Sequence, residues 1–182
     1  TLKNLTFDNI YHEHVNYWSL KTLITFFKKF GAVIFNAEKI NTHGGSLRIY
    51  INKNNKIKIN SNIKKLLKEE ERFGLNRYET YKSFSEKIYK IKERVVDKIT
   101  QLKNEKNKII GYGSPAKATT ALNFFGISHE IDCIIEDNKF KQGKFLPGMK
   151  IPITAKENLK EKPDYALVLA WNFFDEIKKK NG

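Results

Sequence analysis

The sequence is poor in sulfur and in proline: its 182 residues include one cysteine, one methionine and four prolines. A single thiol, at Cys133, excludes an internal disulfide and a zinc site of four cysteines, and it suits a reducing cytoplasm. No apolar stretch approaches the roughly 20 residues that a membrane-spanning helix needs, and residues 1–17 lack a basic start followed by an apolar block. We therefore predict a cytoplasmic protein without a membrane partner.

Arginine is also scarce, although the chain is strongly basic. The net charge is +14, yet only four of the 34 Lys and Arg residues are arginine. The lysines are spread over the whole length, among many Asn and Ile residues, and form no single patch. Because arginine is the better reader of phosphates and bases, this pattern favours a compositional bias over an interface. We expect no nucleic-acid partner.

Apolar residues, by contrast, make up 40% of the chain and are enough for a core. Between Tyr78 and Leu102 they recur every three or four positions, which predicts one long helix whose stripe serves for packing. This helix is expected to join a front unit, residues 1–60, to a back unit, residues 107–182, with residues 61–106 as the helical connector.

The back unit alternates strands and helices, beginning with the stretch IIGYGSPAKATTALNFFG. The two isoleucines predict the end of a buried strand, and the glycines after them predict a tight turn. We expect Ser114 to cap the next helix, with Pro115 in its first position. Thr154 and Glu157 have capping spacing and predict a further helix. Such strand–helix repeats are typical of an α/β, Rossmann-like fold with a doubly wound parallel sheet.

Three positions of the back unit are expected at the carboxyl ends of its strands, where parallel sheets bind ligands. The Gly113 turn directs free N–H groups and the positive end of a helix toward one point, where a phosphate fits. The G-x-G spacing lacks the third glycine of the dinucleotide fingerprint, so a plain strand–helix turn is the alternative. Asp137 follows the second strand, where dinucleotide-binding folds place a ribose-binding carboxylate, and Asn172 follows the third.

The densest ionisable cluster in the sequence is Tyr11, His12, Glu13 and His14. Two histidines and a carboxylate could bind a metal ion, although H-E-x-x-H is absent and no second ligand cluster accompanies them. They could equally be surface residues without a role. In the third interpretation, a histidine beside an orienting carboxylate and a phenol takes a proton from carbon next to a ketone. The phenol would then hydrogen-bond the enolate oxygen.

The sequence also resembles a known family, the nucleotide-sugar C-methyltransferases. Five stretches are similar to it in order and spacing: FDNIYHEHVNYWSL, EKINTHGGSLRIYI, GYGSPAKATTALNF, IEDNKFKQGKFLPGMKIPI and PDYALVLAWNFFDEI. Those enzymes transfer a methyl group from S-adenosylmethionine (SAM) to a carbon next to the ketone of a dTDP-4-keto-6-deoxysugar. In that family a cysteine-rich zinc-binding region comes first, then a SAM-binding Rossmann domain, then a second Rossmann-like domain.

The resemblance implies a place for each part of the chain. Residues 1–60 correspond to the tail of a class I methyltransferase domain, 61–106 to a helical connector and 107–182 to most of the C-terminal domain. It implies SAM as methyl donor, a nucleotide-linked keto-deoxysugar as partner, and zinc in an N-terminal region outside these 182 residues. Because neither the cysteine cluster nor the glycine-rich SAM loop is among them, we expect this chain alone to be inactive.

For the catalytic residues, the resemblance implies His14 as the base, with Glu13 and Tyr11 as its companions. His43 and Arg48 flank the HGGSLR turn, for which a structural role and substrate contact are both open.

For the substrate, the resemblance implies that the turn at Gly113 helps to hold the nucleotide-sugar. Chemistry and position suggest that Lys117 offsets diphosphate charge and that Asn123 and Asn172 hydrogen-bond sugar or base edges. The expected substrate-binding residues are Gly113, Ser114, Pro115, Lys117, Asn123, Asp137 and Asn172. The alternative function is a non-catalytic Rossmann-like module that binds a nucleotide or nucleotide-sugar.

Overall fold

The computed structural model describes residues 1–54 and 56–181, and of His43 and Asn181 it describes the backbone alone. Within these residues there are five α-helices and two β-sheets, and none of the helices is long and apolar enough to cross a membrane. The prediction of an α/β protein with a parallel sheet late in the chain is confirmed.

By residue contacts the chain forms two compact units. Unit 1 comprises Thr1–Leu5 and His14–Glu86, and unit 2 comprises Thr6–Glu13 and Lys87–Gly182. The division at residues 60 and 106 expected from the sequence stays a prediction. What the contacts add is that a short segment near the start of the chain belongs with the C-terminal unit.

Unit 1 is a β-hairpin packed against helices. Its elements are α1 (Leu20–Lys29), β1 (Val33–Ile40), β2 (Ser46–Asn52), α2 (Ser61–Phe73) and the start of α3 (Tyr78–Asn104). α1 begins at Ser19, whose hydroxyl accepts a hydrogen bond from the Thr22 amide. α2 ends at Gly74 in the left-handed conformation. The antiparallel strands and the two helices bury a core around Leu20.

The long helix predicted in the middle of the chain is confirmed. α3 runs without interruption from Tyr78 to Asn104. Ile88, Ile99 and Leu102, all members of its apolar stripe, are buried, and the last two belong to the core of unit 2. From Ile88 onward the stripe therefore serves for packing, as its period indicates, whereas Tyr78 and Tyr81 at its start are exposed.

Unit 2 contains a four-stranded parallel sheet. Its elements are the end of α3, β3 (Ile109–Tyr112), α4 (Ala116–Phe125), β4 (Ile134–Ile135), β5 (Ile153–Thr154), β6 (Tyr165–Val168) and α5 (Phe174–Asn181). The strand order is β5-β4-β3-β6, with every neighbouring pair parallel. This order is consistent with a Rossmann-like sheet, in which the chain moves outward from a central first strand and then returns to its other side.

Both faces of the central strands β3 and β4 are buried, which explains their apolar character. Successive strand side chains point to opposite faces. Ile109 and Ile134 accordingly join the core formed with α3 and α4, whereas Ile110 and Ile135 join a second cluster that includes Ile177 of α5.

Three local predictions are wrong. β3 does not end at the two isoleucines but continues through Gly111 and Tyr112, so that the turn begins only at Gly113. Ser114 does not cap α4: Pro115 is itself extended, with a ψ of 159°, and occupies the N-cap position, so that α4 begins at Ala116. The Ser114 hydroxyl donates to Glu136 instead. The spacing of Thr154 and Glu157 gives only a single 3₁₀ turn. Beyond it the chain reads LKEKP, which offers no apolar stripe to stabilise a longer helix.

Candidate functional site

Two loops meet closely at the carboxyl end of the parallel sheet. Gly113 follows β3 with a φ of +83°, and a Cβ placed there would lie 2.6 Å from the Cβ of Ala170, which follows β6. Only glycine permits this conformation together with this approach. From β3 the chain continues to β4 on one side, whereas β6 lies on the other side. The loops therefore flank a topological switch point, where ligands of open α/β sheets bind.

A carboxylate holds the turn after Gly113 in place. The amide and the hydroxyl of Ser114 both donate to Glu136 Oε2, at 2.9 and 2.6 Å, while Lys141 Nζ donates to the Ser114 carbonyl at 2.9 Å. Burial raises the pKa of Glu136, but the hydrogen bonds from Ser114 and from the Asn138 amide, with the charge of Lys141, outweigh it and leave that pKa below its usual value. Glu136 therefore remains a carboxylate at neutral pH and keeps the turn rigid.

The neighbouring Asp137 has different partners. It is exposed, accepts a hydrogen bond from Lys180 Nζ at 2.8 Å, and lies 3.4 Å from the hydroxyl of Tyr112. Sequence reasoning singled out Asp137 and missed Glu136. Both residues follow β4 directly, and the alternation of side chains along a strand allows only one of them to reach the glycine turn. The sequence does not say which.

A buried lysine lies on a tryptophan beside the same turn. Lys117, in the first turn of α4, is 9% exposed, and its Nζ lies 3.9 Å from the centroid of the Trp171 ring. Trp171 Nε1 in turn donates to Asp8 Oδ2 at 2.5 Å. Burial lowers the pKa of Lys117, and the charge of Asp8 acts against that effect. Asp8 and Trp171 were not among the residues expected from the sequence.

Apart from Asp137, six substrate-binding residues were expected from the sequence. Five of them lie at the carboxyl-end edge of the sheet, and one does not. Gly113, Ser114, Pro115 and Lys117 form the turn and the start of α4, and Asn172 is exposed directly after Trp171. Asn123 is exposed but lies seven residues after the start of α4. At 1.5 Å per residue this is about 10 Å along the helix axis, away from the strand ends. Its role in binding stays a prediction.

The Tyr11–His14 segment forms a turn. Tyr11 is half-buried, and Glu13 and His14 are exposed. The boundary between the units falls after Glu13, so that Tyr11 and Glu13 group with unit 2 and His14 with unit 1. The ring of His14 lies 6.4 Å from that of Tyr17. Across the described part of the chain, no three His, Cys, Asp or Glu side chains form a group that could hold a metal ion.

Comparison with known proteins identifies the family of the chain. Residues 41–182 match the family model described as the C-methyltransferase C-terminal domain. The chain belongs to the C-methyltransferase family. It is also 32% identical over 179 residues to the C-methyltransferase NovU of Streptomyces niveus, an alignment that covers 97% of this chain and 43% of NovU. The resemblance inferred from the sequence is thus confirmed, and the chain spans less than half the length of this relative.

The residues matched to the C-methyltransferase C-terminal domain include the whole strand-end site of Gly113, Lys117, Glu136 and Trp171. Asp8 and the Tyr11–His14 segment precede that match. The alignment with the C-methyltransferase NovU extends further toward the start of the chain, since it covers nearly all of it.

In the β1–β2 hairpin of the C-methyltransferase chain, Arg48 forms cross-strand contacts. Arg48 on β2 pairs with Glu38 on β1 at 3.2 Å, and the Tyr50 hydroxyl donates to the same carboxylate at 2.5 Å. The Tyr50 hydrogen bond, followed by Arg48, lowers the pKa of Glu38. These cross-strand contacts give Arg48 a structural role. The side chain of His43 lies outside the described residues.

Proposed function

We propose that this chain is the part of a SAM-dependent C-methyltransferase that binds a nucleotide-linked keto-deoxysugar and removes a proton from the carbon next to its ketone. The observation that carries the proposal is the strand-end site: a glycine turn, a helix N-terminus and the buried Lys117 meet at the switch point of a parallel sheet in a C-methyltransferase domain. The doubly wound, Rossmann-like interpretation of this sheet is part of the proposal.

The strand-end site has the chemistry to hold a diphosphate. α4 presents the positive end of its dipole beside the turn at Gly113. The amides of Gly113, Ser114 and Ala118 already donate to protein acceptors, so the expectation of free N–H groups at this turn is wrong for these three. Lys117 adds a positive charge in a place with little water, where a charge interacts more strongly than at the surface. Asn172 is exposed next to this edge and offers both a donor and an acceptor to the sugar or base.

Proton removal is assigned to the Tyr11–His14 segment. An imidazole nitrogen of His14 takes the proton. The electron pair of the broken C–H bond forms the C=C π bond of the enolate, and the π pair of the carbonyl moves onto its oxygen. Glu13 orients the imidazole, and the Tyr11 hydroxyl donates to the enolate oxygen. Because that oxygen is more negative than the ketone oxygen, the hydrogen bond is stronger after proton removal and the rate rises.

The methyl group is expected to come from SAM, whose site we expect outside this chain. Within the described residues of unit 1 no glycine turn leads from a strand into a helix: Gly31 and Gly74 follow helices, and Gly44 and Gly45 lie in the β1–β2 connection. We therefore assign no step to SAM here. The zinc implied by the family likewise has no ligand group among the described residues.

Deuterium exchange separates proton removal from methyl transfer. The complete protein that the gene encodes, whatever its length, is incubated in D₂O with a dTDP-4-keto-6-deoxysugar and no methyl donor. It should place deuterium on the carbon next to the ketone, which NMR detects. His14→Ala should bring exchange down to the uncatalysed rate, and His12→Ala is the matched control that should retain it. Undiminished exchange by the His14→Ala protein would show that another group is the base.

A further inference from the structure

A short segment at the start of the chain is fastened to the C-terminal unit by a buried ionisable group. Phe7–Asn9 form a 3₁₀ turn, and Asp8 within it is only 5% exposed. Its carboxylate accepts the 2.5 Å hydrogen bond from Trp171 Nε1, a contact between residues 163 positions apart in the chain. A buried carboxylate needs such a donor, since burial without one is costly. The pair is therefore a specific attachment.

Aromatic packing holds the same turn from a second direction. The Phe7 ring lies 4.8 Å from the ring of Phe124 and 5.5 Å from that of Phe125, both at the end of α4. The turn is thus held between α4 and the loop that follows β6. Two attachments on different sides leave it little freedom to rotate.

The constraint extends to Tyr11. The Ile10 amide donates to the Phe7 carbonyl at 2.9 Å, and the Tyr11 amide donates to the Asn9 carbonyl at 3.2 Å. Tyr11 is three residues from Asp8, a separation of at most about 10 Å even in an extended chain. Holding Asp8 therefore restricts the position of Tyr11, and through it that of Glu13, relative to unit 2.

The attachment is also joined to the strand-end site. Trp171 carries the Lys117 ammonium on its ring face and Asp8 on its indole N–H. One side chain thus contacts both Lys117, the residue assigned to the diphosphate, and Asp8, which precedes the segment assigned to proton transfer by three residues.

We propose that Asp8 and Trp171 are positioning residues of the C-methyltransferase: their hydrogen bond restricts where Tyr11 and Glu13 can lie relative to the strand ends that bind the nucleotide-sugar. The proposal rests on the proposed function. Neither residue needs to touch the reacting atoms, because they act through Tyr11 and Glu13. Small misplacements of catalytic groups are known to lower rates by large factors, and such a loss would leave nucleotide binding at the glycine turn largely unchanged.

Hydrogen–deuterium exchange of the 182-residue chain tests the attachment without any assay of activity. Trp171→Phe keeps a ring against Lys117 but removes the N–H donor, and Asp8→Ala removes the acceptor. Both should speed exchange of the Ile10 and Tyr11 amides at least tenfold. Asp8→Asn, whose amide oxygen still accepts from the indole, should restore slow exchange. Trp18→Phe changes the tryptophan of unit 1 and is the matched control.

Protection of the Gly111 and Gly113 amides, which donate to carbonyls of the neighbouring strand, reports whether the sheet of each variant is folded. Unchanged exchange at Ile10 and Tyr11 in both Trp171→Phe and Asp8→Ala overturns the proposal. So does a loss of protection that spreads equally to Gly111 and Gly113 in both variants, because the pair would then serve the whole unit rather than the segment.

Steady-state kinetics of the complete protein that the gene encodes are the second test of the positioning proposal. Trp171→Phe should lower kcat for methyl transfer at least tenfold and change KM for the nucleotide-sugar by less than about twofold, and Asp8→Asn should recover most of kcat. A rise in KM at unchanged kcat would contradict positioning. If the wild-type protein transfers no methyl group to carbon, the proposed function fails. If the wild-type protein transfers it, but Trp171→Phe and Asp8→Ala leave amide exchange at Ile10 and Tyr11 unchanged, only the positioning proposal fails.

Discussion

The close approach of the two strand-end loops gives a sharp prediction for Gly113→Ala. With φ at +83°, a residue with a Cβ loses about 1–2 kcal/mol to left-handed strain. The new Cβ would also lie 2.6 Å from the Cβ of Ala170, and relief of such overpacking costs about 1–3 kcal/mol. The expected loss of unfolding free energy is therefore about 2–5 kcal/mol.

Gly126→Ala is the matched control for this substitution. Gly126 ends α4 with a φ of +74°, and a Cβ there would meet no atom within 4 Å. This variant should carry the left-handed strain alone, about 1–2 kcal/mol. Both substitutions stiffen the unfolded chain in the same way, so that effect cancels when the two are compared. The difference of about 1–3 kcal/mol isolates the contact between the loops.

Urea unfolding followed by tryptophan fluorescence measures the difference. The chain has two tryptophans, Trp18 and Trp171, so a Trp18→Phe background leaves Trp171 to report on unit 2. Ala170→Gly combined with Gly113→Ala removes the facing methyl group and should recover the part of the loss due to overpacking. If Gly113→Ala is no more destabilising than Gly126→Ala, the two loops do not meet as described.

Two further predictions concern the charged groups of the site. In calorimetry, Lys117→Met should weaken dTDP binding about 10- to 100-fold, since hydrogen bonds to charged groups contribute about 1.5–3 kcal/mol. Lys92→Met, which removes a lysine from the ring of Phe124, is the control and should leave dTDP binding unchanged. Equal effects of the two substitutions would contradict the assignment of Lys117 to the diphosphate. The lowered pKa of Glu136 contributes stability that is present above its unfolded pKa and is lost as pH falls through the folded pKa. Glu136→Gln should therefore flatten the loss of stability in acid urea titrations below about pH 4.5, and an unchanged slope would refute the role of this carboxylate.

Local chemistry was enough to predict much of the fold. The long helix α3 was predicted from apolar residues that recur within a few positions of one another. The Ser19 cap and the left-handed glycines at the ends of α2 and α4 have equally local causes. The parallel sheet followed from the alternation of apolar strands with helices. One error arose where a nearby signal competed with a distant partner: Ser114 has the chemistry of a helix cap, yet Glu136, 22 positions away, takes its hydroxyl. The helix expected after Thr154 failed for a local reason, because capping spacing without an apolar stripe gives only one 3₁₀ turn.

The candidate site shows the same limit. The position of the glycine turn and of Lys117 could be predicted, because a strand–turn–helix is a local pattern. The roles of Asp8 and Trp171 could not, since their contact joins residues 163 positions apart and depends on which loop follows the outer strand β6. An aspartate between Phe7 and Ile10 was the only sign in the sequence that a charged group would be buried there.

The most direct test of the account is calorimetric titration of the 182-residue chain with dTDP and, separately, with NAD. A nucleotide-sugar site at the Gly113 turn predicts saturable binding of one dTDP per chain, weakened by Lys117→Met, and no binding of NAD. Binding of NAD without any response to dTDP would instead establish a dinucleotide-binding module and contradict the central claim.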